Sequence, residues 1–375
     1  MFEDCVNKSR IIVKMHELLK NDAKYDICNF NSNVVARTSE GVCYINNKAE
    51  KRLIIYLRGK GCAWSQTKYG GCFMCGHFHG TSKGISIPAG AFVEQVNGIF
   101  AKKNISDYPV ICIYNAGNIL NPDEIPRNEL TSIFKTLSKY KNIRKIIIES
   151  RPEFIDSSYI KELKEILQDI ELEIGIGLET ADDNLRNLLI NKGFMFSDYE
   201  RAVKILKQYN VKILTYITVK HLFQTDFEAM NDVVNTVKRI INYTDSISLE
   251  PISVQSGTLI DYFFKNKLYE PPKGWLVIDI VKQLSGITNN IDLRIGGFEF
   301  YPAPYYVIKN CDVCTKKLYE YVNLYNSGVD KESLFSLQCS CLEEYRKKFE
   351  QGRLESRSIE ERISDAIANI MYKEV

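Results

Sequence analysis

Six short apolar runs, at residues 53–57, 110–114, 143–148, 172–178, 211–219 and 246–249, constrain this chain more than any other feature. Each is nearly continuous in Ile, Leu, Val or Tyr, as strands covered on both faces must be. Helix-like segments at 91–102, 123–140, 157–168, 197–209 and 227–241 lie between them. Strands alternating with helices imply a parallel sheet joined by right-handed crossovers. Pro122-Asp123-Glu124 reads as a helix start, and Ser197-Asp198-Tyr199-Glu200 has capping-box spacing. The polar residues then choose between an open sheet and a barrel. The first run leads into a glycine-rich loop with three cysteines, the second into Asn115-Ala-Gly117-Asn118, and the third into Glu149-Ser-Arg151-Pro-Glu153. The fourth ends in Gly177-Leu-Glu179-Thr180, the fifth in Lys220-His221, and the sixth in Glu250-Pro-Ile-Ser-Val-Gln255. Polar chemistry gathered at the carboxyl ends of parallel strands marks the active face of a barrel. The expected fold class is α/β, a partial (β/α)6 barrel.

At 375 residues the chain has room for that barrel and more. We expect an N-terminal extension over 1–50, the barrel over 51–258, and a C-terminal extension over 259–375. The rhythm changes after 258. Pro271-Pro272 interrupts the chain, 275–284 looks helical, 291–296 looks like one more strand, and a charged helix-like tail runs over 359–372. With 45% hydrophobic and 26% charged residues, a large core is expected and wholesale disorder is not. A net charge of +2 does not demand nucleic acid, so any basic patch has to be local. The run 135–145 is one candidate; a solvated helix end and loop is the simpler reading. The opening residues are polar and charged, which does not suit a secretory signal. No apolar run approaches the roughly 20 residues of a membrane span. A cytoplasmic protein with no membrane segment is expected, and in that compartment eleven cysteines point to metal before disulfides.

Cys62, Cys72 and Cys75 share one glycine-rich loop in the spacing C-x9-C-x2-C. Three thiolates can hold three irons of a [4Fe–4S] cluster and leave the fourth iron open to an outside ligand. That is what radical chemistry on S-adenosylmethionine needs. The rival is a structural zinc site completed by His77 or His79, which would make the chain a zinc-stabilised interaction protein instead of an enzyme. A second group, Cys311, Cys314, Cys339 and Cys341, forms two close pairs. Four ligands with no open position suit zinc best; an auxiliary iron–sulfur cluster and free thiols are the alternatives. Cys5, Cys28, Cys43 and Cys112 read as small buried or surface residues. His221 is a candidate substrate contact, and no single general acid or base stands out.

The cysteine loop, Glu149-Ser-Arg151-Pro-Glu153, and Gly177-Leu-Glu179-Thr180 with Lys192-Gly193 resemble the radical S-adenosylmethionine superfamily. Asn115-Ala-Gly117-Asn-Ile-Leu-Asn-Pro-Asp-Glu124-Ile-Pro126, Val254-Gln255-Ser-Gly257-Thr258 and the late cysteines narrow the resemblance. They look like the branch containing the Elongator catalytic subunit and, within it, the archaeosine-forming radical enzyme family. The likeness covers most of residues 50–345. It implies a partial barrel of radical S-adenosylmethionine type with a cysteine-containing C-terminal extension. It also implies a 5′-deoxyadenosyl radical that removes hydrogen from an unreactive C–H bond. Asn115 and Gly117 stand where the superfamily uses a Gly-Gly-Glu segment for the methionine amino group. Glu149, Arg151 and Glu179 are implied cofactor-binding residues, the glutamates holding the ammonium group or the ribose hydroxyls. A buried salt bridge to Arg151 or Arg186 is the glutamates' structural alternative. Gln255 is implied to touch adenine or substrate, with a turn-stabilising amide as its alternative. Met74 replaces the usual aromatic residue before the last cluster cysteine. The implied substrate is tRNA bearing a lysine-modified deazaguanine. The implied partners are an electron donor and the enzyme that attaches the lysine. A small metabolite or peptide is the competing substrate class. A basic patch at the barrel mouth favours tRNA, and a closed apolar pocket favours the metabolite.

Overall fold

Eight strands form one sheet in which every strand lies beside its neighbours in sequence: β1 (Arg37–Ile45), β2 (Lys48–Leu57), β3 (Val110–Asn115), β4 (Lys145–Glu149), β5 (Glu171–Gly177), β6 (Lys212–Val219), β7 (Ser246–Pro251) and β8 (Asp292–Ile295). The computed structural model describes residues 2–22, 31–45, 48–288, 291–298 and 300–371. β1 and β2 pair antiparallel, and β2 to β8 run parallel. Right-handed crossovers between parallel strands in unbroken order put the connecting helices on one side of the sheet. A doubly wound sheet reverses its order and carries helices on both sides. The sheet therefore curls into a partial barrel with β1 and β8 at its edges. The six predicted runs are β2 to β7, and the additional run at 291–296 is β8.

The helices are α1 (Phe2–Asp22), α2 (Ala91–Phe100), α3 (Arg127–Leu137), α4 (Ser157–Leu167), α5 (Asp183–Leu185), α6 (Phe196–Gln208), α7 (Asp226–Ile240), α8 (Leu259–Lys265), α9 (Gly274–Leu284), α10 (Thr315–Asn326), α11 (Cys341–Arg353) and α12 (Ile359–Met371). Two starts differ from expectation. α3 begins after Pro126, and residues 121–125 form a separate turn stabilised by Glu124 N donating to Asn121 O. α6 is capped by the Asp198 carboxylate, which accepts from Met195 N at 2.9 Å, so Ser197 and Glu200 are not its capping pair.

Side-chain alternation along each strand separates two environments. Leu53, Ile55, Ile111, Ile113, Ile146, Ile148, Leu172 and Ile174 belong to one large core with helix residues such as Leu130, Phe134, Ile160 and Leu163. Ile54, Val110, Cys112 and Ile147 form a small separate cluster with Cys43, flanked by Tyr56 and Tyr114. Lys145 and Glu173 share that inner face as a buried ion pair at 2.6 Å. The run 135–145 is thus a helix end and loop whose last lysine turns inward. Cys43 and Cys112 are buried as expected, whereas Cys28 and the side chain of Cys5 lie outside the described residues. A third cluster joins Ile12 of α1 to Ile363, Ile367 and Ile370 of α12, and to Phe73 of the cysteine loop. No helix among the described residues is long and apolar enough to cross a membrane.

Candidate functional site

The cysteine loop leaves the carboxyl end of β2 and is folded by its own polar contacts. Cys75 N donates to Cys72 O at 3.1 Å, Ser82 N to Gly59 O at 3.1 Å, and Gln66 Nε2 to Gly61 O at 3.1 Å. Gly71 has φ +84°, and a Cβ there would lie 2.5 Å from Ser65 Oγ, so only glycine fits the turn. Cys62, Cys72 and Cys75 each keep some solvent access. Burial pushes the Cys75 thiol up to about 12, and Cys72 and then Cys62 add to the effect. Burial and the nearby Glu124 push Cys62 up as well. Three cysteines on one glycine-rich loop, whose thiolates would repel one another, are a donor set that suits a metal cluster, and its cationic irons would stabilise them as thiolates.

Glu124 ties this loop to the barrel, a role its place in an expected helix start concealed. Its Oε1 accepts from Ala63 N at 2.9 Å, Asn118 Nδ2 at 2.7 Å and Asn121 Nδ2 at 3.0 Å. Its Oε2 accepts from Asn118 N at 2.5 Å and Asn115 Nδ2 at 3.3 Å. Asn118 Nδ2 also lies 3.6 Å from Cys62 Sγ, and Asn118 Oδ1 accepts from Arg151 N at 3.1 Å. A Cβ on Gly117 would collide with the Glu124 carboxylate and sit 3.0 Å from Cys62 Cα. The Asn115–Asn118 turn therefore braces Cys62 directly. Asn115 Oδ1 is a buried acceptor with no protein partner, which suits a position where a ligand's N–H would arrive.

Glu149 and Glu179 end β4 and follow β5, and neither pairs with Arg151 or Arg186. Glu149 accepts from Tyr216 OH at 2.6 Å, and burial pushes its carboxyl up to about 7. Glu250, at the end of β7, is pushed up to about 7 by the same cause. Gly175 gives the Tyr216 ring its space, since a Cβ there would lie 2.7 Å from it. Glu179, at φ +69°, pairs with the largely covered Lys192 at 2.6 Å. Arg186 is fully buried and donates to Thr180 O at 2.7 Å. Arg151 pairs with Glu153 at 2.5 Å, its guanidinium 5.1 Å from the Trp64 ring. Gln255 takes the tying role: its Oε1 accepts from Gly76 N at 2.9 Å and its Nε2 donates to Pro302 O at 2.6 Å. His77 Nδ1 lies 2.7 Å from Tyr301 O, and His79 Nε2 lies 3.4 Å from Gly257 O. His221, the candidate substrate contact, is buried 3.3 Å from Thr218 Oγ1 and 3.5 Å from Asp232 of α7, on the helical side. A cavity of about 380 Å³, lined by Asp182, Asp232 and Arg239 among others, also lies on that side and contains none of the three thiols.

Cys311, Cys314, Cys339 and Cys341 converge so that all four sulfurs lie within 4.8 Å of one another. Three of the separations are 3.7, 3.5 and 3.7 Å. A tetrahedral ion with metal–sulfur bonds of about 2.3 Å sets sulfurs about 3.8 Å apart. The group could hold one such ion. Trp275 Nε1 lies 3.3 Å from Cys341 Sγ, so the four sulfurs join α9, α10 and α11.

No protein-family model matches the chain. An uncharacterized protein of Methanocaldococcus jannaschii is 35% identical over 62% of this chain and 64% of its own length. The archaeosine synthase subunit beta of Methanosarcina acetivorans is 27% identical over 85% of this chain and 91% of its own length. Its counterpart from Thermococcus kodakarensis is 30% identical over 56% of this chain and 65% of its own length. The chain thus spans a little under two thirds of two of these relatives. Among solved structures, the Elp3 of Methanocaldococcus infernus lacking its N-terminus superposes with a TM-score of 0.46 at 14% identity, over 64% of this chain and 59% of that one. The hydrogenase maturase HydG superposes with a TM-score of 0.46 at 9% identity, over 99% of this chain and 96% of that one.

Proposed function

We propose that this chain, a homologue of the archaeosine synthase β subunits with a partial barrel of radical S-adenosylmethionine type, is a radical enzyme of tRNA modification. The observation that carries the reading is the thiol triad on a glycine-rich loop at the carboxyl rim of the sheet. Cys62, Cys72 and Cys75 would hold a [4Fe–4S] cluster. When bound, the cluster and S-adenosylmethionine supply one-electron cleavage to a 5′-deoxyadenosyl radical, which takes hydrogen from the substrate. The protein's own contribution is placement. Glu124 and Asn118 fix Cys62, Gln255 fixes the backbone beside Cys75, and Asn115 and Gly117 leave an open acceptor and a close backbone beside them. Glu149 and Glu179 offer carboxylates on the neighbouring strand ends. The late cysteines would bind zinc as a structural clamp.

Two features support tRNA over a small metabolite. Both named relatives are archaeosine synthase subunits, and the cysteine loop and its flanks are free of acidic residues. Between Glu50 and Glu94 the chain carries six Lys or Arg and no Asp or Glu. Within that stretch the exposed Tyr69 stacks on Trp64 at 5.4 Å beside exposed Lys68, a platform of the kind on which unpaired bases stack. The substrate reading is tRNA carrying a lysine-modified deazaguanine, with a lysine-attaching enzyme acting first and an outside electron donor. The test offers that tRNA, or its free modified nucleoside, to the reconstituted enzyme and follows archaeosine by mass spectrometry. Conversion of the tRNA alone, weakened by Tyr69→Ala, is the expected result. Conversion of the free nucleoside or of an unrelated metabolite in its place would replace the tRNA reading.

A further inference from the structure

We propose that Lys20, near the end of α1, places its ammonium on the cysteine loop so as to raise the reduction potential of the cluster held by Cys62, Cys72 and Cys75. The proposal rests on the cluster reading above and concerns a residue of the N-terminal extension, outside the barrel. α1 packs directly onto the cysteine loop. His16 is buried edge-on against Phe73 with ring centres 5.5 Å apart, and a Cβ on Gly70 would lie 3.2 Å from the His16 ring. Ile12 anchors the same helix in the apolar cluster shared with α12.

This seat carries Lys20 into the loop. Its ammonium donates to Ser65 O, and to Gly70 O at 3.3 Å, and lies 3.9 Å from the centre of the Phe78 ring. Burial lowers its pKa to about 8, and Cys75, Cys62, Cys72 and then Glu17 oppose that as neighbouring negative charges. The other cations near the thiols have carboxylate partners: Lys192 pairs with Glu179 at 2.6 Å and Arg151 with Glu153 at 2.5 Å. Glu17, one turn before Lys20, pairs with Lys14 at 3.1 Å. Lys20 instead binds backbone carbonyls of the cysteine loop itself, and the Glu17 carboxylate that acts on it is held by Lys14.

A thiolate-bound cluster is anionic, and one electron from a reductant makes it more so, with no bond made or broken. A nearby cation stabilises the reduced form more than the oxidised one, and more strongly in a half-buried setting than in water. Lys20 is therefore a positioning residue that eases delivery of the electron.

The test compares wild type with Lys20→Met, Lys20→Gln and Lys20→Arg after anaerobic reconstitution with iron and sulfide. Iron and sulfide content and the electron paramagnetic resonance spectrum of the dithionite-reduced protein report assembly. A mediated titration then reports the midpoint potential. The proposal predicts the same cluster in all four proteins, a more negative midpoint in both neutral variants, and a wild-type midpoint in Lys20→Arg. A neutral variant with a normal cluster and an unshifted midpoint overturns it. A wild type that assembles no cluster would overturn the cofactor reading beneath it, a separate outcome visible before any titration.

Discussion

Glu124 concentrates five accepted hydrogen bonds on one carboxylate, and their donors come from the cysteine loop, the Asn115–Asn118 turn and Asn121. Removing such an acceptor leaves several buried donors unpaired, at a cost of roughly 1.5–3 kcal/mol. Glu124→Ala is expected to lower the melting temperature and to reduce the iron retained per chain after reconstitution; full iron retention would contradict the bracing role. None of this was legible in Pro122-Asp123-Glu124, because its partners are distant in sequence and the local pattern resembles a helix start. The cysteines were legible because spacing alone limits what three thiols can do. Glu149 offers a second test. Burial raises its carboxyl to about 7 in the folded chain, well above the ordinary glutamate range. A group so raised contributes stability at low pH and loses it as pH climbs through about 7. The loss is roughly 3 kcal/mol at most. Thermal melts from pH 5 to pH 8 should therefore fall less steeply for Glu149→Gln than for wild type.

At the scale of elements, β2 to β7 could be read from their apolar runs because both faces are covered. β1 could not. It is an edge strand, and Arg37-Thr-Ser-Glu-Gly-Val-Cys-Tyr-Ile45 lacks the continuous apolar signature of a covered one. The packing of α1 and α12 over the cysteine loop was equally hidden, since periodicity finds a helix but not what it covers. The late cysteines were recognisable as two pairs, and their convergence needed the turn before α10 and the start of α11 to meet beside Trp275. A single tetrahedral ion there predicts that Cys339→Ser loses one zinc per chain and melts earlier while keeping its full iron content. Loss of iron and retention of zinc would reverse the assignment of the two sites.

Across the whole molecule, the strand order sets the chemistry. Parallel strands in sequence bring seven successive carboxyl ends to one rim, so residues as far apart as Cys62 and Gln255 hold the same loop. The extensions are integrated with this rim: α1 packs on the cysteine loop, and Gln255 links that loop to Pro302. Net charge concealed the acid-free stretch between Glu50 and Glu94, because acidic residues elsewhere cancel it. The central claim is that the triad holds a cluster able to cleave S-adenosylmethionine. It is tested by reconstituting the protein anaerobically, reducing it, adding S-adenosylmethionine with the lysine-modified tRNA, and quantifying 5′-deoxyadenosine against Cys75→Ala. The account predicts 5′-deoxyadenosine from the wild type and none above background from the variant. Zinc in place of iron at the triad, or equal product from both proteins, would contradict it.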